Sequence, residues 1–389
     1  METIRIGDAC KILNGYAFKS DKYVTSGIRV IRIANVQKGY IEDADPEFYP
    51  ENYSGLDKYM LKEGDLLISL TGNVGRVAIL QKEMLPAALN QRVACLRIKN
   101  PKISKGYLFH FLNSDYFENK CIQASKGVAQ KNVSTEWLKE YEIPLYSAKK
   151  QAEIENTLDK LNLVIKHRKE ELSDLDELIK ARFVEMFGDP EYNTLDWPVK
   201  KLNALCNVGS SKRIYQEEQT MDGIPFWRIS DLIAKMDTGN VESSLYIPEI
   251  KYEELKKQGL VPEPGDILVT SRGTLGRCYI ISPNDRFYFQ DGMISWLSRY
   301  ADEITPVYIQ YLFDMPGFKK QIDSMQAGST VAYLSIAMLK KLNIMLPDRE
   351  RQEQFACFVS QIDKSKVAVQ KSLDETQLLF NSLMQKYFG

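Results

Sequence analysis

From Lys149 to Phe187, apolar residues return at steps of four and three: Ile154, Leu158, Leu161, Ile165, Leu172, Leu175 and Ile179, with Arg168 on the same stripe. No glycine or proline interrupts the run, and charges are dense at the other positions. This is the heptad seam of a coiled coil. About 39 residues of helix would reach roughly 58 Å. Toward the C-terminal end a matching stretch carries Phe355, Val359, Ile362, Val369, Leu373, Phe380 and Leu383, interrupted by Lys366 and Thr376. A seam this apolar has to be covered. The expected cover is the other helix, packed antiparallel about a pseudo-two-fold axis; the alternative is that each helix packs only on its own globular domain.

Ahead of each helix the pattern changes. Short alternating or β-branched runs at Ile28–Ile33, Asp65–Leu70, Arg76–Leu80 and Val93–Ile98 predict strands, separated by turn signals such as Thr71-Gly72-Asn73 and Asn100-Pro101. Helical stretches are expected near Tyr107–Asn119 and Thr135–Glu140. The predicted class is α+β: two tandem-duplicated mixed domains at 1–146 and 191–347, with helical spacers at 147–190 and 348–389 that form an antiparallel coiled coil.

The duplication is read by shifting the chain on itself. At an offset of 201, Gly64-Asp65 meets Gly265-Asp266, and Gly72, Gly75 and Arg76 meet Gly273, Gly276 and Arg277. In the same register Ser134 meets Ser335, Gln151 meets Gln352, and Phe187-Gly188 meets Phe388-Gly389. Nearer the start of each half the offset is 196, so Cys10 meets Cys206 and Arg32-Ile33 meets Arg228-Ile229. The second half therefore holds about five extra residues, expected within 231–245.

Composition narrows the class. With 389 residues, two or more domains are expected. No apolar run approaches the ~20 residues of a membrane span, and the first residues lack the layout of a signal peptide, so the cytoplasm is the expected location. Six cysteines (Cys10, Cys95, Cys121, Cys206, Cys278, Cys357) form no CxxC pair, and the two histidines, His110 and His167, stand in unrelated contexts, so no metal site is expected. The net charge is −1. Residues 1–148 hold 20 Lys+Arg against 17 Asp+Glu, and residues 191–347 hold 17 against 19. Any nucleic-acid surface is thus a local patch.

The order domain, long helix, domain, long helix resembles the specificity subunit of type I restriction-modification systems. The local phrases that carry the resemblance are Gly64-Asp65-Leu66-Leu67-Ile68-Ser69 with Gly72-Asn73-Val74-Gly75-Arg76, and Gly265-Asp266-Ile267-Leu268-Val269-Thr270 with Gly273-Thr274-Leu275-Gly276-Arg277. Leu346-Pro347-Asp348-Arg349-Glu350-Arg351-Gln352 resembles the family's approach to its helical segment, from which the first copy, Leu145-Tyr146-Ser147-Ala148-Lys149-Lys150-Gln151, departs. The resemblance implies two target-recognition domains that bind a bipartite double-stranded DNA target. It also implies two methyltransferase subunits using S-adenosylmethionine and two ATP- and Mg-dependent restriction subunits as partners, with no cofactor on this chain.

Residues identical in both halves cannot make two half-sites differ. Arg76 and Arg277 are thus read first as parts of fold-keeping turns, with phosphate contact as the functional alternative. Base reading is expected where the halves diverge and carry side chains that suit base edges. The first such pair is Asn14, Tyr16, Lys19, Ser20 and Lys22 against Ser210, Ser211, Lys212, Arg213, Tyr215 and Gln216. The second is Lys126, Gln130, Lys131 and Asn132 against Gln326, Ser329, Thr330 and Tyr333. Gln91 and Arg92, with Gln290 in the other half, extend the set. Each of these is otherwise a solvated polar loop or, for the amides, a satisfied buried group.

Catalytic motifs are missing. Asp45-Pro46-Glu47-Phe48 lacks the second proline of an amino-methyltransferase motif, no GxGxxG follows a strand, and Gly72–Arg76 has no Lys-Ser/Thr after it. Glu249-Ile250-Lys251 has no recognisable metal-binding partner. The expectation is a non-catalytic subunit. The rivals are a self-sufficient nuclease or methyltransferase, a protein-binding coiled-coil scaffold, and the reading subunit of a related system.

Overall fold

The computed structural model describes residues 2–125, 131–326 and 332–389. The chain falls into two compact units, Met1–Glu170 with Gln370–Gly389, and Glu171–Val369. The division runs through both long helices, so each helix contributes to both units.

The first unit is built on a four-stranded antiparallel sheet in the order Cys10–Asn14, Val93–Ile98, Leu66–Ser69, Val77–Ile79. Beside it, Ile28–Ile31 lies antiparallel to Phe48–Tyr49 and parallel to Ala87–Leu89. Thr3–Arg5 pairs with Glu142–Pro144. All four residues of Leu66–Ser69 are buried, because the strand has a core on each face. Leu66 and Ile68 enter one apolar cluster with Tyr107, Phe111 and Phe117, whereas Leu67 enters another with Ile31, Leu80 and Leu89. A strand covered on both faces reads as a continuous apolar run rather than an alternation.

The second unit repeats the plan. Its four-stranded sheet runs Asn207–Gly209, Ile294–Ser298, Ile267–Thr270, Cys278–Ile280, its three-stranded sheet runs Tyr246–Ile247, Ile224–Trp227, Tyr288–Phe289, and Val199–Lys201 pairs with Asn343–Met345. A helix at Ile229–Thr238 lies at the expected insertion.

The helical stretch expected at Tyr107–Asn119 is two helices, Lys105–Leu112 and Asp115–Ala124. Ser114 breaks it: its hydroxyl accepts from Phe117 N at 3.2 Å, so it is the N-cap of the second helix rather than a link in the first. Ser134 and Ser335, aligned by the duplication, cap Thr135–Glu140 and Ile336–Lys341 by accepting from Trp137 N and Met338 N.

The long helices are Ala148–Phe187 and Arg349–Phe388, each of 40 residues. In the first unit Ile154 and Leu158 share a core with Met384 and Phe388, and the Tyr146 hydroxyl donates to Tyr387 O at 3.3 Å. In the second unit Ile179, Phe183 and Phe187 share a core with Phe355 and Val359, Arg182 lies 5.8 Å over the Phe358 ring, and Lys366 pairs with Asp176. In the second unit Asp176, Arg182 and Phe183 meet Lys366, Phe358 and Phe355, in reverse order, so the two helical segments there run in opposite directions. Of the remaining heptad positions, Ile165, Val369 and Leu373 are buried, and Leu161, Leu172, Leu175, Ile362, Phe380 and Leu383 are half-buried. Among the described residues no helix is long and apolar enough to cross a membrane.

Candidate nucleic-acid interface

In the first unit, main-chain hydrogen bonds stitch four separate segments together at one end of the larger sheet. Tyr16 N donates to Leu89 O at 2.7 Å, and Gln91 N returns to Tyr16 O at 2.9 Å. Leu70 N donates to Arg92 O, Gly72 N to Lys131 O and Val133 N to Leu70 O, while Thr71 bridges to Asn132. Asn14, Lys19, Ser20, Lys22, Gln91, Arg92, Lys131 and Asn132 are exposed there, and Tyr16 is half-buried. Lys126 and Gln130 lie outside the described residues.

The second unit repeats the part of this stitch that joins the turn to the two later segments, whereas its first loop is tied through side chains. Ser271 N donates to Met293 O, Leu334 N to Ser271 O and Gln290 N to Trp227 O, and Arg272 bridges to Tyr333. The Ser210 hydroxyl donates to Ile294 O at 3.0 Å, and Arg213 pairs with Asp291 at 2.8 Å. Gln326 accepts from Tyr333 N at 2.9 Å. Lys212, Arg213, Tyr215 and Gln216 are exposed, and Ser210, Ser211, Gln290 and Tyr333 are half-buried. Ser329 and Thr330 lie outside the described residues.

A buried tyrosine anchors the first loop in each unit. The Tyr49 hydroxyl accepts from Lys19 N at 3.3 Å, and the Tyr288 hydroxyl accepts from Lys212 N at 2.8 Å. In the second unit Glu218 adds a further anchor, accepting from Tyr215 N at 2.9 Å and from Lys251 at 2.6 Å. The Lys251 ammonium, and then the Tyr215 N–H, hold the Glu218 carboxyl below its ordinary range.

Arg76 and Arg277 both have partners inside their own unit. Arg76 donates to Gln37 Oε1, and Arg277 pairs with Asp237 at 2.6 Å. Their backbone N–H groups donate to the Ser69 and Thr270 hydroxyls, each at 3.0 Å, which closes the two glycine turns. Arg272, exposed and 5.4 Å over the Tyr333 ring, joins the second surface although no spacing in the sequence singles it out. Only its contact across the fold identifies it.

Nothing in this arrangement suits covalent chemistry. Burial pushes the thiols of Cys10, Cys121 and Cys206 up to about 12, which keeps them protonated at neutral pH. Among the described residues no group of three or more His, Cys, Asp or Glu is placed to hold a metal ion.

The type I restriction modification DNA specificity domain matches residues 1–174 and again 194–376. The chain belongs to that family. The two matches follow the duplication and together take in most of the sequence. Among its relatives, the type I restriction enzyme MjaVIII specificity subunit of Methanocaldococcus jannaschii is 29% identical over 186 residues, 46% of this chain, and the chain spans less than half of that relative, 43%. The EcoBI specificity subunit of Escherichia coli is 22% identical over 98% of this chain and 83% of its own length. The fold is similar to that of the S subunit of a type I restriction-modification system from M. genitalium, with a TM-score of 0.59 at 15% identity, covering 100% of this chain and 96% of the other. These relatives are named as specificity subunits.

Proposed function

We propose that the chain is the DNA sequence-reading subunit of a type I restriction-modification complex, each recognition domain reading one part of a bipartite duplex target. One observation carries this reading: two units of the specificity family tie the same glycine turn to the same two later segments, yet present different side chains there. A shared frame with divergent polar loops suits two half-sites of different sequence. The recognition domains are 1–146 and 191–347. The long helices form an antiparallel coiled coil over 147–190 and 348–389 and set the distance between half-sites, since a duplex repeats its faces roughly every 34–36 Å. The helices also dock two methyltransferase subunits, which bind S-adenosylmethionine and in turn carry two ATP-driven restriction subunits. The chain itself catalyses nothing and acts in the cytoplasm.

The test is to co-express the chain with its methyltransferase partner and map methylated adenines across a genome. The expected result is a two-part motif with a fixed gap whose halves change one at a time when 1–146 or 191–347 is exchanged. A continuous motif, or none from an assembled complex, overturns the proposal.

A further inference from the structure

In the first unit the loop 14–22 meets a second segment, 48–59, that the comparison of the two halves does not single out. The Tyr16 and Tyr53 hydroxyls lie 3.3 Å apart. The Lys22 ammonium is 3.5 Å from the Tyr53 oxygen and 5.0 Å above the Tyr53 ring. Tyr53 packs edge-on against the anchoring Tyr49 at 4.8 Å, so its ring is fixed from behind. Among the described residues Lys19, Lys22 and Lys58 form no ion pair, and all three are exposed. In the second unit Ile247 stands at the register position of Tyr49, Lys212 and Glu218 stand where Tyr16 and Lys22 do, and the loop is held from another strand by Tyr288, whose hydroxyl accepts from Lys212 N and donates to Lys212 O at 3.1 Å. The Tyr16–Lys22–Tyr53 group is thus peculiar to one half.

We infer that Tyr53 and Lys22 together bind a phosphate oxygen of the DNA strand lying against the first unit. Either hydroxyl can donate across the Tyr16–Tyr53 contact; with Tyr16 as the donor, the Tyr53 oxygen accepts from Lys22 and from Tyr16, and its own proton can donate outward. In keeping with this, hydrogen bonds from Tyr16 and Lys22 hold the Tyr53 hydroxyl below its ordinary value, while the same contact raises that of Tyr16. A polarised phenol beside an ammonium supplies two donors and one positive charge, which suits an anionic oxygen. Such a contact fixes the position of the duplex without reading its sequence. The inference rests on the DNA-reading role proposed above.

The experiment uses the assembled methyltransferase complex and a duplex carrying its mapped target. Dissociation constants are measured against salt for the wild type, Tyr53→Phe, Lys22→Met and Lys22→Arg. Both Tyr53→Phe and Lys22→Met are expected to weaken binding about 5- to 20-fold. Lys22→Met is expected to lower the slope of log K against log salt by about 0.9, which a purely structural role would not do. Lys22→Arg restores most of both, and the methylated motif stays unchanged in every variant. A scan of neutral methylphosphonate linkages should find one position where the wild type loses affinity and Tyr53→Phe loses no more. If the wild type binds and methylates a two-part target but the variants bind equally well, or if the motif changes at a base, the phosphate contact is wrong while the reading role stands. A wild-type complex with no sequence preference overturns the role itself.

Discussion

Gln352 holds the backbone of Thr305 across the base of the second long helix. Its Oε1 accepts from Thr305 N at 2.8 Å, and its Nε2 donates to Glu303 O at 2.9 Å and Pro347 O at 2.8 Å. Gln151 does the same in the first unit, accepting from Ser104 N and donating to Lys102 O and Tyr146 O, all at 2.8 Å. Both side chains are fully buried, at 0% and 1% exposure, so no water replaces a lost bond.

Gln352→Ala and Gln151→Ala each strand one N–H and two carbonyls. Each is expected to cost about 2–4 kcal/mol. The loss is read from denaturant midpoints. Gln352→Leu, which keeps the volume but not the bonds, should be no better than alanine.

The glycine turns divide into tight and loose positions. A Cβ on Gly75, at φ +84°, would stand 2.9 Å from the Cys121 Cβ, whereas one on Gly72 would find only the Ile33 Cδ1 at 3.5 Å. Gly75→Ala is therefore expected to cost about 2–4 kcal/mol and Gly72→Ala about 1 kcal/mol. Thermal unfolding of the two variants gives the order directly, and equal costs would contradict it.

The anchor at Glu218 titrates. Its carboxyl is depressed, so the stabilisation it lends the Tyr215 loop is complete above its ordinary value of about 4.3 and is lost as the pH falls through the depressed one. Lys251 is raised by the Glu218 carboxylate, so its contribution holds below about 10.4 and disappears as the pH rises through the raised value. The Tyr215 amide shift should be flat between these limits and move below them on the acid side. In Glu218→Gln that acid movement should vanish.

If the long helices measure the gap between half-sites, their length should set it. Seven residues added within 155–185, with seven at the matching place in the second helix, lengthen the pair by about 10 Å, or about three base pairs. Methylome mapping should show a wider gap and unchanged half-sites. A changed half-site at constant gap would refute the ruler.

Much of this molecule is legible in its sequence because duplication and heptad spacing are periodic signals. The helices follow Ile154 and Phe355 through their repeats, and the turns follow Gly72 and Gly273. The helix ends were harder to read. Phe183, Met186 and Phe187, with Met384 and Phe388, are buried outside the predicted seam. There the helices touch each other, as Phe183 does Phe355 at 5.5 Å, and also meet a globular core, as Phe183 does on Tyr308 at 5.6 Å and Phe388 on Tyr107 at 5.7 Å. A helix facing a domain needs a wider apolar face than one facing another helix. The candidate interface is only partly legible for a different reason. Tyr53 meets Tyr16, and Arg272 meets Tyr333, across folds of the chain that no local pattern encodes.

The glutamine clamps carry a consequence for how such chains diversify. Gln151 and Gln352 grip only main-chain atoms, so this grip does not depend on which side chains stand at 102–104 or 303–305. A domain that keeps the backbone path through 102–104 or 303–305, and the ring of Tyr107 or Tyr308 under the helix, can be exchanged for one of otherwise unrelated sequence without refitting the joint. New specificity can then arise by recombination, in one step, instead of through a succession of compensating point changes.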